Sequence, residues 1–162
     1  MELWIAILAG LVGTLVMTCF SQITSHFLKK PFYVVTILAI MLPFKKNVSA
    51  PSVYVYAVAT VLHYFIGVVF AYIYLWQLEW LIVNDIVSAL LYGAIIGSIA
   101  IIGWKLFFSI HPNPPPIELK FYLVMIWFGH IALSVTASAI FGIFSSSMWM
   151  FLHRPLQQIE PI

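Results

Sequence analysis

Charge is what this chain has least of. Only 7% of its 162 residues are Asp, Glu, Lys or Arg, against about a quarter in soluble domains. That shortfall excludes a water-soluble fold. There is one cysteine, Cys19, so no internal disulfide can form and neither a CxxC nor a CxxCH motif exists. No cluster of basic residues makes a nucleic-acid surface, and no nucleic-acid partner is expected. The acidic residues are Glu2, Glu79, Asp85, Glu118 and Glu160, all at the ends of apolar stretches or between them. HExxH, GxSxG and paired intramembrane aspartates are missing as well, so the chain is not expected to catalyse a reaction alone. Its start, Met1-Glu2-Leu3-Trp4, lacks the positive n-region of a cleavable signal peptide, and the first apolar stretch is expected to be retained.

What the chain does have is hydrophobic length. Sixty-four per cent of it is apolar, and a membrane span needs about 20 such residues. Four stretches qualify: 3–28, 53–76, 86–108 and 121–149. They are too long, and too uniformly apolar, for the alternating strands of a barrel, which run to about 10 residues. The expectation is an all-α polytopic membrane protein, a four-transmembrane-helix bundle forming a single membrane domain over 1–162. All nine prolines fall outside the spans, and HPNPPP at 111–116 makes a stiff connection that no helix crosses. The segment PFYVVTILAIMLPF, 31–44, is apolar but too short to cross. Lysine pairs flank it, which points to a short interfacial or re-entrant helix on the cytoplasmic side, or else to a simple extension of the first span.

Charge placement gives a direction. Lys29, Lys30, Lys45, Lys46, Lys105 and Lys120 lie on one side of the four-span arrangement, and only Arg154 on the other. By the positive-inside rule the lysine loops are cytoplasmic and both termini outside, as in a prokaryotic inner membrane. Aromatic residues fit as interface markers: Tyr54, Tyr56 and Tyr122 inside, and Trp4, Trp76, Trp80 and Trp149 outside.

Helices associate in lipid through small residues and interhelical hydrogen bonds. Each span carries such a stripe: Gly10, Thr14, Thr18, Gln22 and Ser25 in the first; Thr60, His63, Gly67 and Ala71 in the second; Ala89, Gly93, Gly97 and Ala100 in the third; His130, Ser134, Ala137 and Phe141 in the fourth. Gly10, Thr14, Gly67, Gly93 and Gly97 are the candidate packing residues. A short similarity, ILAGLVGT at 7–14 and LLYGAIIG at 90–97, suggests two tandem hairpins.

His63 and His130 are the residues with chemistry. Counting about 1.5 Å per residue from the start of each span places both near the midplane. An ionisable group there is a functional hypothesis by default. Three readings are open. The imidazoles can be neutral and structural, hydrogen-bonded to Thr60, Tyr64, Ser134 or the polar groups of the first span. They can be the axial ligands of one b-type haem, with Gly67 and Gly129 making room. Or they can bind a proton or a ligand. His26, His111 and His153 are expected to be solvated at the membrane ends. Other four-helix classes lack their marks. Small multidrug exporters carry a glutamate in the first helix, where this chain has Gly10, Gly13 and Thr14. Disulfide-forming membrane oxidoreductases need cysteine pairs, and two-haem cytochromes need two histidines on each of two helices.

Gly10 with Thr14, LHYFIGVVFAYIY in the second span, the glycines of the third and GHIALSVTASAIFG in the fourth together resemble small prokaryotic four-helix membrane proteins of unknown function. The resemblance implies the four-helix fold over nearly the whole chain and brings no activity with it. The expected role is that of a partner or accessory subunit in a larger membrane assembly, with other membrane subunits or a second copy as partners alongside the bilayer. A single-haem electron carrier and an oligomeric small channel or transporter are the alternatives.

Overall fold

The computed structural model describes residues 3–44, 50–81 and 86–152. Glu2, Lys45, Lys46, Asp85, His153, Arg154, Pro155, Glu160 and Pro161 lie outside them, as do the side chains of Glu79, Trp80 and Trp149. The described residues form five helices: α1 (Leu3–Leu28), α2 (Val34–Met41), α3 (Val53–Leu81), α4 (Ile86–Ile110) and α5 (Leu119–Leu152). Four carry segments long and apolar enough to cross a membrane, Leu3–Leu28, Val53–Gln77, Ile86–Ile110 and Leu119–Phe144. At 1.5 Å per residue each reaches roughly 38 Å, more than the hydrocarbon core requires. The chain is a multi-pass helical membrane protein.

Local chemistry sets the helix ends. Lys30 N–H donates to the Ser25 carbonyl and Lys29 N–H to that of His26, while Lys29 takes φ 52°. This is a Schellman cap with lysine in the left-handed position, and Pro31 follows it directly. The proline run between α4 and α5 ends at Pro116, and α5 begins at Leu119.

Burial separates the helices into a central and a flanking pair. In α1 and α5, 39% and 44% of the apolar window is buried, against 17% in α3 and 28% in α4. α1 and α5 pack on each other, α4 lies along α5, and α3 lies along α1. α3 and α4 are neighbours in sequence, yet they stay largely apart among the described residues. The gap between them has α1 and α5 as its floor.

Small residues sit where the central pair meets its neighbours. A Cβ on Gly10 would run into the Val68 backbone of α3, and one on Gly67 into the hydroxyl of Thr14. On the other flank, Gly93 lies against Ser134 and the Ile131 backbone of α5, and Gly97 against Trp127. Hydrogen bonds reinforce that second seam. Ser134 Oγ donates to the Ala89 carbonyl at 2.7 Å, and Trp127 Nε1–H donates to Ala94 O at 3.1 Å and Ser98 Oγ at 3.2 Å. Close approach plus interhelical hydrogen bonds is how helices associate where lipid is as apolar as their side chains.

Several expected orientations are corrected. Thr60 is exposed and bonds its own helix at Tyr56 O; Ala59, one residue back, faces inward instead. Gln22 is exposed, and its neighbour Ser21 is buried. Tyr122 is no interface anchor: it is fully buried among Phe32, Trp104 and Phe108. His111 is not solvated. It is 5% exposed and boxed by Phe44 and Phe107, with Nδ1 accepting from Asn113 N–H. His26 is exposed.

Candidate functional site

The gap between α3 and α4 encloses a cavity of about 260 Å³. Both ends of the gap are closed. Toward the end of α3, Tyr92 of α4 donates to the Phe70 carbonyl at 3.0 Å and its ring lies 4.7 Å from that of Tyr74. At the lysine end, α2 fills the space with Val34 and Leu38, which form part of the cavity wall. Ile66 and Gly103 also line the cavity and are exposed on the outer surface. The opening is therefore lateral, between α3 and α4.

Ser21 holds α2 in place. Its hydroxyl donates to Phe32 O at 2.9 Å and accepts from Val34 N–H at 3.3 Å. The first turn of α2 has no side-chain cap of its own, so α1 supplies a partner for one of its free amides. Lys30 pairs with Glu118 and lies over the Phe121 ring, fixing the corner between α1 and α2 against the start of α5.

His63 and His130 both line the cavity and are 8% and 5% exposed. Each lies within two residues of the centre of its span. α1 serves as a common ruler for their heights, because Gly10 faces Val68 while Gly13 faces Leu133 and Met17 faces Gly129. Counted from those contacts, the two histidines differ by less than about one helical turn. The four inward stripes thus bring together two imidazoles, Thr14 and Gly67 at one wall; Gly10, Gly93 and Gly97 belong to the helix seams and do not line the cavity.

Hydrogen-bond partners, together with the cost of burying an unpaired charge, assign one neutral tautomer to each ring. Thr18 Oγ1 donates to Thr14 O at 2.8 Å, since a carbonyl only accepts. With that hydrogen placed on Thr14 O, the contact of 3.1 Å with His63 Nε2 assigns the ring N–H to that nitrogen. His63 is the Nε2–H tautomer, with a bare lone pair on Nδ1. His130 Nδ1 lies 2.8 Å from the Ile126 carbonyl, so it donates there and the lone pair falls on Nε2. The tautomers are opposite, and neither lone pair has a partner among the described residues. The hydroxyl of Thr14 is buried and unpartnered too.

Apart from the indole of Trp104, the rest of the wall is apolar, with Met17 and Phe70 prominent, and it carries no Asp, Glu, Lys or Arg. No group of three or more metal-ligating side chains exists among the described residues. The sequence offered the polar groups of the first span among the partners of the imidazoles, and Thr18 is the one that meets His63, whereas Thr60 and Ser134 bond backbone carbonyls. Trp104 and Met17 gave no signal, because apolar residues on an apolar helix do not announce which of them face a cavity.

Compared with models of known families, with characterised proteins and with solved structures, the chain matches none.

Proposed function

We propose that this is a small integral membrane protein that acts by binding, without catalysis of its own, as a partner or accessory subunit of a larger membrane assembly. The observation that carries the reading is the pair of mid-span imidazoles, each with its N–H engaged by the protein and its lone pair free beside one lateral cavity. Such groups hold a donor; they are set at the depth where an unpaired acceptor is least tolerated. The low burial of α3, 17% of its apolar window, leaves a broad surface for lipid or a neighbouring subunit. We place the protein in a prokaryotic inner membrane, with the lysine loops cytoplasmic and both termini outside. In that frame we read α2 as re-entrant, a reading supported by its packing along the first turns of α3, from Val55 and Tyr56 to Ala59 and Leu62.

Ligation of one b-type haem by His63 and His130 is the second reading, and the same free nitrogens favour it. Against it, the cavity of about 260 Å³ is smaller than the range of about 300–1,000 Å³ usual for drug-sized ligands. No basic side chain lines it to meet propionates. Native mass spectrometry and a visible spectrum of protein extracted in mild detergent test the two together. The binding reading expects a colourless protein carrying a small-molecule adduct or a partner chain. A Soret band would replace it with the haem reading, and a bare, colourless monomer would contradict both.

A further inference from the structure

We infer that the α3/α4 cavity binds a neutral, lipid-soluble hydroxy compound built on a single substituted ring, held by O–H donation to His63 Nδ1 and His130 Nε2. The inference rests on the binding role proposed above and names the chemistry of its ligand.

Hydrogen-bond accounting sets the polarity. In the assigned tautomers His63 and His130 each use their one N–H inside the protein, on Thr18 and Ile126 respectively. What remains on each ring is an acceptor, so a matching ligand must bring donors.

Charge and size narrow the class. No ionised side chain lines the wall, so nothing there compensates a charged ligand, and burying an unpaired charge is prohibitively costly. An apolar cavity of about 150 Å³ accommodates benzene. One of about 260 Å³ admits a ring with several small substituents. Access is from the bilayer, because the opening lies between Ile66 and Gly103 on the lateral surface. A Cβ at Gly103 would meet nothing within 4 Å, so this position forms an open rim rather than a helix contact.

Donor polarity predicts a discrimination that shape alone does not. A hydroquinone and its quinone have nearly the same outline. The hydroquinone donates two hydrogen bonds, whereas the quinone only accepts, and it would set oxygen lone pairs against nitrogen lone pairs.

The test is anaerobic calorimetry on the full chain in nanodiscs, with duroquinol and duroquinone as probes. Duroquinol is expected to bind saturably and at least tenfold more tightly than duroquinone. His63→Leu and His130→Leu should each abolish that preference. Because losing the Thr18 contact can unsettle the fold, Gly103→Leu provides an independent variant. Its Cβ has open space around it, and the larger side chain should narrow the rim and remove duroquinol binding while the protein keeps its helicity and melting temperature. Equal affinity for the two probes, or no saturable binding of duroquinol to folded wild-type protein, overturns the inference. A colourless protein that fails this test still leaves the broader binding role standing, whereas a Soret band in the same sample removes both.

Discussion

Gly10 and Gly103 are both glycines on apolar helices, yet a methyl group added to each has opposite consequences. At Gly10 it meets the backbone of Val68, which cannot rotate away, and at Gly103 it meets nothing. Gly10→Ala is therefore expected to destabilise by about 1–3 kcal/mol through overpacking. Gly103→Ala is expected to be neutral or to stabilise by up to about 1 kcal/mol through helix propensity. Unfolding in mixed micelles measures both, and equal effects would show that α1 and α3 do not cross at Gly10. Lys29 is a residue-scale case of the reverse kind. It holds φ 52° at an exposed helix end, where an L side chain costs about 1–2 kcal/mol. Lys29→Gly should raise stability by about 1 kcal/mol in the same assay. Neither position was fully legible in the sequence. Gly10 stood out as a small residue in a stripe, but Gly103 looks identical to it on paper, and the strain at Lys29 belongs to a cap that leaves no signature in composition.

At the scale of elements, length and proline placement carried most of the information. The first span, 3–28, coincides with α1, and α4 and α5 differ from the expected 86–108 and 121–149 by only two or three residues at their ends. Helix rotation was much less legible. In water the polar face of a helix marks its outside, but in lipid both faces are apolar, so Thr60 and Gln22 were placed inward when Ala59 and Ser21 are the buried residues. The burial of His111 was also hidden, since its aromatic surroundings include Phe44, a residue distant in sequence. Ser21 yields the element-scale prediction. Its hydroxyl makes two buried bonds to the start of α2, and leaving such groups unsatisfied costs about 1–3 kcal/mol. Ser21→Ala should accelerate amide exchange across Val34–Met41 by tenfold or more while α1 and α5 are unaffected. Unchanged exchange there would mean that α2 is held by its apolar contacts alone.

For the whole molecule, four spans and a one-sided distribution of lysines make topology the first consequence. Alkaline phosphatase fused after Ile162 should be active in the periplasm, and activity confined to the cytoplasm would contradict the proposed orientation. Arrangement within the bundle was only half legible. Counting residues gave His63 and His130 a common depth, but depth does not say which helices are neighbours. They share a cavity because α3 and α5 both pack on α1 while α3 and α4 stand apart, and no single-chain periodicity records that. The central claim is that these two rings are neutral, oppositely protonated and each left with one free nitrogen. Nitrogen-15 NMR of the imidazoles in lipid bilayers, with His63 and His130 assigned by substitution, reads this directly. The account predicts an N–H on Nε2 with a bare Nδ1 for His63, and an N–H on Nδ1 with a bare Nε2 for His130. Two rings in the same tautomer, or an imidazolium at either position, would contradict it.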